Sequence, residues 1–159
     1  ATPFYCTNGR AQSVQRITSI ARAGRDVKLV VVDHFSLILR PGKRQDADES
    51  REIAHALKRL AQSLKQPVLC LAQLNRQNEQ RTDKRPTLAD LRATGAMEED
   101  ADGVIFVHQP DYYRADFKPE RGAPKQVEVT LAKNRHGPTG RLDLSFWPET
   151  NTFNPAYVG

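Results

Sequence analysis

The sequence is short of the residues that cross-link or embed a chain. Cysteine occurs twice in 159 residues, as Cys6 and Cys70. Two thiols make no disulfide framework and, unaided, no zinc site. Cys70 lies in the apolar run Val68-Leu69-Cys70-Leu71, where a buried, reduced thiol is expected. No apolar run approaches the ~20 residues of a membrane helix. Residues 1–16 are not basic-then-apolar, so no secretory signal is read there. These absences predict a soluble, reducing, cytoplasmic setting with no membrane partner. The phosphate-cradling pattern G-x-x-x-x-G-K-[ST] is also missing. The one Gly-Lys pair, Gly42-Lys43, is followed by Arg44 and has Leu37 where the first glycine belongs.

What is present suits one soluble domain spanning 1–159. The hydrophobic share is 38% and the charged share 27%, with length enough for a real core. Lys and Arg number 24 against 19 Asp and Glu, a net charge of +5. That excess permits a nucleic-acid partner without requiring one.

Periodicity predicts a helix from about Arg10 to Ala23, capped by Asn8 and stopped by Gly24, with Val14, Ile17, Ile20 and Ala21 on one face. A second is expected from about Asp48 to Lys65, with Ile53, Ala54, Leu57, Leu60, Ala61 and Leu64 inward. Continuous apolar runs at 28–33, 68–72 and 103–108 read as strands buried on both faces of a parallel sheet. Segment 41–48 is a polar connection, 75–86 a polar loop, and 109–124 a long surface excursion. A helical stretch from Leu88 to Glu99 is interrupted at Gly95. Val127, Val129 and Leu131 alternate with Glu128 and Thr130, and Leu142, Leu144 and Phe146 with Asp143 and Ser145. These are half-exposed strands of a hairpin joined by 133–141. The order is that of an α/β domain with a mostly parallel sheet and a final antiparallel pair.

Five segments carry chemistry. Asp33 ends the run Leu29-Val30-Val31-Val32, at the edge where parallel sheets bind ligands. A carboxylate there serves a hard cation or caps the next turn. Gln73 leaves the next strand, where an amide can meet a water or a γ-phosphate, or simply satisfy the strand end. The loop after it holds Arg76, Arg81, Lys84 and Arg85 against Glu79 and Asp83, with no aromatic residue. It is either a solvated loop or a sequence-blind, salt-sensitive phosphate contact. Arg92, Thr94 and Gly95 make either a helix-break turn or a phosphate cradle. Lys133 and Arg135, two apart on an extended segment, are either solvated or presented to a polyanion or a neighbour's phosphate.

In this order the segments resemble the C-terminal motor domain of the DnaB-type replicative helicases, RecA-like hexameric ATPases. The resemblance runs from about Leu29 to Phe153 and rests on Val-Val-Asp at 31–33, Pro-Val-Leu-Cys-Leu-Ala-Gln-Leu-Asn-Arg at 67–76 and Glu-Gln-Arg-Thr-Asp-Lys-Arg-Pro at 79–86. It continues with Asp-Leu-Arg-Ala-Thr-Gly-Ala-Met-Glu-Glu-Asp-Ala-Asp at 90–102 and Lys-Asn-Arg-His-Gly-Pro-Thr-Gly at 133–140. It implies a RecA-like three-layer fold, incomplete at its N-terminal side. Asp33 would be the Walker B carboxylate on Mg²⁺ of Mg-ATP, through water. Gln73 would sense the γ-phosphate. Residues 76–86 (Arg76, Arg81, Lys84, Arg85) and Arg92, Thr94 and Gly95 would form two loops on single-stranded DNA. Lys133 and Arg135 would reach a neighbouring subunit's nucleotide in a homo-hexamer, and primase and a helicase loader would be partners.

The sequence departs from the family at His34, usually Tyr, and at Ala93, usually Glu. The nucleotide-gripping loop and the family's catalytic glutamate are expected upstream of Ala1, so the chain alone is expected to lack ATPase activity. Two other readings use the same residues: another RecA-like ATPase of RadA or KaiC type, or a partner or inhibitor that has no phosphate loop.

Overall fold

The structure, a computed structural model, describes residues 4–7, 12–24, 26–38, 47–75, 79–113 and 122–156, without the side chains of 47, 92–96 and 113. The expected cap Asn8 and the connection at 41–46 lie outside them. The chain divides into two compact units, one of residues 1–73 and 94–100, the other of 74–93 and 101–159.

In the first unit, helix α1 runs Val14–Ala23. Its cap is Ser13, whose hydroxyl accepts from the Arg16 N–H at 3.2 Å, satisfying one of the donors a helix start leaves open. At the other end Gly24 donates to the Ile20 carbonyl, and a Cβ on Gly24 would lie 2.7 Å from the Val27 side chain. Any larger residue there would force the Val27 side chain to shift. Helix α2 spans Ala47–Leu64, with Ile53, Ala54, Leu57 and Leu60 buried as their spacing predicts. Strands β1 (Val30–Val32) and β2 (Val68–Cys70) pair in parallel, with Val32 opposite Cys70. Their inward residues join Val14, Phe35, Ile38, Ile53, Ala54 and Leu57 in one core, against which Met97 of α3 (Gly95–Asp100) also packs.

The outward residues of these strands differ from expectation. Val31 is 53% exposed and Leu69 51%. Both faces carry the apolar composition of a doubly covered sheet, and the described residues cover one of them.

The second unit is a four-stranded antiparallel sheet in the order β3 (Gly103–His108), β4 (Lys125–Asn134), β5 (Gly140–Trp147) and β6 (Thr152–Pro155). The β4–β5 hairpin is as expected. β3 is not buried on both faces: it pairs antiparallel with β4, burying Phe106 and exposing Ile105 and Val107. β6 is an addition, held to β5 partly by stacking of Phe153 on Phe146 at 4.6 Å between ring centres. The stretch Leu88–Thr94 is a 3-10 helix that passes directly into α3 at Gly95, so the expected interruption is a change of helix type. No helix among the described residues is long and apolar enough to cross a membrane.

The cost of truncation should follow this layering. Leu60 is 2% exposed, so Leu60→Ala is expected to lower the unfolding free energy by about 2–5 kcal/mol. Val31→Ala should cost about 1 kcal/mol or less. Urea unfolding of both variants checks this, and equal losses would contradict the one-sided core.

Candidate functional site

Parallel strands end at the same edge of their sheet, and that fact assembles the first group. Backbone pairing continues past the strands: Leu71 donates to the Val32 carbonyl at 2.9 Å, and Phe35 donates to the Leu71 carbonyl at 2.8 Å. Asp33, directly after β1, and Gln73, three residues after β2, therefore leave the sheet at one edge. Both side chains are exposed. Beside Asp33, His34 Nδ1 lies 2.7 Å from the Ser36 hydroxyl. Phe35 and Ile38, both buried, root the short 3-10 helix Phe35–Leu37 in the core and so fix where β1 delivers its carboxylate.

The second unit carries the basic loop. Arg76 lies outside the described residues, but Arg81, Lys84 and Arg85 lie within them. Arg85 makes a two-pronged contact with Glu128 on β4, its Nε–H donating to Oε2 at 2.7 Å and its Nη2–H to Oε1 at 2.9 Å. Arg81 donates through Nη2 to Asp90 Oδ2 at 2.7 Å and to the Arg85 carbonyl at 2.9 Å. Asp90 also accepts from the backbone N–H of Thr87 at 2.7 Å and from its hydroxyl at 3.0 Å. Thr87-Leu88-Ala89-Asp90 is thus a capped helix start, with the acidic side chain reaching back to the first residue.

Glu128 and Asp90 are the residues that sequence reasoning missed. The alternation at 127–131 predicts a half-exposed Glu128, yet it is 4% exposed. The Thr-x-x-Asp spacing was a readable signal for Asp90; nothing local marks Glu128, whose partner is 43 residues away in sequence.

The pairing shifts the ionisation of both carboxyls. The Arg85 hydrogen bonds hold Glu128 below the usual carboxylate range against its own burial, with Arg141 and His108 adding to the effect. Burial is the largest single influence on Asp90 and pushes its pKa up, but the hydrogen bonds from Thr87 and Arg81 together outweigh it, and the net shift is downward. Burial holds His108, opposite Glu128 in the register, below the usual imidazole value.

The hairpin tip presents the remaining cations. The β3–β4 register shifts by one residue between Val104 and Ile105, which leaves Ala132 without a partner and puts Lys133 opposite Val104. Lys133 is thereby turned to the Phe106 side of the sheet; an unbroken alternation would have set it with Val129 and Leu131. Arg135 stands in the turn, its backbone N–H donating to the Asp102 carbonyl at 2.7 Å and its guanidinium 3.5 Å from the Asp102 carboxylate. Asn134 closes the turn through the Pro138 carbonyl and the His136 N–H. Arg92, Thr94 and Gly95 are placed by their backbone on the continuous 3-10-to-α segment; their side chains lie outside the described residues.

Parallel strands that bring a carboxylate and an amide to one sheet edge are a ligand-binding arrangement of α/β domains. Residues 1–155 match the family described as DnaB-like helicase C terminal domain, and the chain belongs to that family. It is 40% identical over 127 residues to the replicative DNA helicase DnaB of Geobacillus stearothermophilus, covering 79% of this chain and 27% of that protein. It is 42% identical over 148 residues to the DnaB of Mycobacterium leprae, covering 90% and 24%. The chain thus spans about a quarter of the length of these relatives. Among solved structures it resembles an ATPase domain with a TM-score of 0.77 and 37% identity, over 92% of this chain and 52% of that one. A DnaB-like replicative helicase studied with its primase interactions matches with a TM-score of 0.76 and 38% identity, over 89% of this chain and 35% of that one.

Because Glu128 has a depressed pKa in the folded state, its share of stability is present above the ordinary glutamate pKa of about 4.3 and disappears as pH falls through the lower folded value. From pH ~5 downward the unmodified chain should lose melting temperature more steeply than Glu128→Gln. Parallel melting curves against pH would contradict the pairing.

Proposed function

We propose that this chain is the strand-gripping and nucleotide-sensing part of a hexameric replicative helicase motor that acts on single-stranded DNA in the cytoplasm. The observation that carries the reading is the delivery of Asp33 and Gln73 to one edge by adjacent parallel strands, in a chain matched to the helicase family along residues 1–155.

The donor set suits Mg-ATP. Mg²⁺ is held by one or two carboxylates, with waters and phosphate oxygens completing the shell, and Asp33 is an exposed strand-end carboxylate. Bound Mg-ATP supplies the charge that changes on hydrolysis. Asp33 would hold the Mg²⁺ of Mg-ATP through water. Gln73 hydrogen-bonds at the γ-phosphate position, and the backbone after it leads into the basic loop. That loop, which carries Arg76, Arg81, Lys84 and Arg85, and the segment of Arg92, Thr94 and Gly95 hold the DNA backbone. Lys133 and Arg135 project toward the nucleotide of an adjoining subunit, where cations offset charge during phosphoryl transfer. Primase and a loader are proposed partners of the assembled ring. The helicase match gives the RadA- or KaiC-type reading no support.

Because the phosphate-cradling sequence is absent from these 159 residues, the chain alone is expected to bind single-stranded DNA without hydrolysing ATP. Fluorescence anisotropy with labelled oligonucleotides should give affinities that are alike for oligo-dT and mixed sequence. Log affinity should fall against log salt with a slope of about −0.7 per phosphate contacted. Salt-independent binding, or ATP turnover by the purified chain, would overturn the reading.

A further inference from the structure

Glu128 occupies a position that the nucleotide and DNA chemistry does not call for. It is almost sealed from solvent, and a buried carboxylate is costly unless paired. Its β5 neighbour in the register is Asp143, and like charges across a strand pair are unfavourable. Arg141 lies at 3.8 Å from Glu128 and offsets part of that repulsion. The close partner is Arg85, arriving from the basic loop with two parallel hydrogen bonds, the geometry that distinguishes arginine from lysine. The Arg85 carbonyl in turn accepts from Arg81, and Arg81 reaches Asp90, which caps the start of the 3-10 helix at Thr87. A continuous string of hydrogen bonds therefore runs from the sheet at Glu128, through both arginines, to the helix start.

We propose that Glu128 and Asp90 are positioning residues for the DNA-binding loop, and that Arg81 and Arg85 are internal struts of that loop rather than phosphate contacts. This rests on reading the loop as a DNA site. Each arginine has a carboxylate at 2.7 Å, so its charge is largely neutralised within the chain. The struts set the path of segment 79–91, and the path sets which groups meet the DNA backbone.

The proposal makes an electrostatically contrary prediction. Glu128→Gln removes a negative charge beside a polyanion-binding loop. Simple attraction would tighten binding, whereas loss of the anchor should weaken it severalfold. Arg85→Lys keeps the charge but cannot reproduce the two-pronged contact, so it should also weaken binding; a direct phosphate contact would tolerate lysine. Hydrogen exchange of the DNA-free chain provides a readout independent of DNA. Amides of 79–91 should exchange about tenfold faster or more in both variants, while those of α2 and of β5–β6 stay protected. Tighter DNA binding by Glu128→Gln, or unchanged exchange at 79–91 in both variants, would overturn the proposal. If Glu128→Gln loses protection everywhere, Arg85→Lys decides by the same two readouts. If the unmodified chain binds no DNA while both variants loosen 79–91, the anchoring stands and the DNA reading falls.

Discussion

Two neighbouring strands that run the same way finish at the same edge, and the placement of Asp33 and Gln73 depends on that constraint. β1 and β2 are three residues each, yet their register and the hydrogen bonds just beyond them tie residues 32–35 to residue 71. Asp33 and Gln73 are 40 positions apart in sequence and leave the sheet side by side in order. The buried face of β1 and β2, with α1, α2 and Met97 against it, makes that edge a rigid base. A strand-end carboxylate gains from such a base, because precise placement of a functional group needs support from a packed core.

The second unit solves a different problem, how to hold a polar loop without a core of its own. Segment 79–87 has no apolar residue except Pro86, so hydrophobic burial cannot shape it. Ion pairs to Glu128 and Asp90 do so instead. Pairing of this kind gives little net stability when exposed. With one partner sealed in a sheet it enforces a particular geometry, since separating the charges strands a buried carboxylate.

Local periodicity made much of the fold legible. The α2 face, the two parallel strands and the β4–β5 hairpin follow directly from apolar spacing, because burial of these elements is decided by neighbours along the same element. Other features depended on partners that spacing does not record. The cap at Ser13 stood close to the apolar stripe, but Asn8 offered equivalent chemistry farther upstream. β3 reads as a doubly buried run, yet its partner is β4. Residue 132 interrupts the alternation of β4 with no change of residue type to announce it, and so redirects Lys133. Glu128 carries the polar residue of an alternating strand, and only the arrival of Arg85 from 43 residues away makes it an interior group. In the candidate site, the strand-end placement of Asp33 and Gln73 was legible from the apolar runs that precede them. The residues that shape the loop were not, because they act through pairing rather than through exposure.

The basic loop and the helical segment after it are proposed to grip single-stranded DNA. Hydrogen exchange of the chain with and without oligo-dT tests this most directly. Binding should slow exchange at residues 79–95 and leave the amides of β5 and β6 unchanged. Unchanged exchange at 79–95 at an oligonucleotide concentration that saturates binding, or protection confined to other segments, would contradict it.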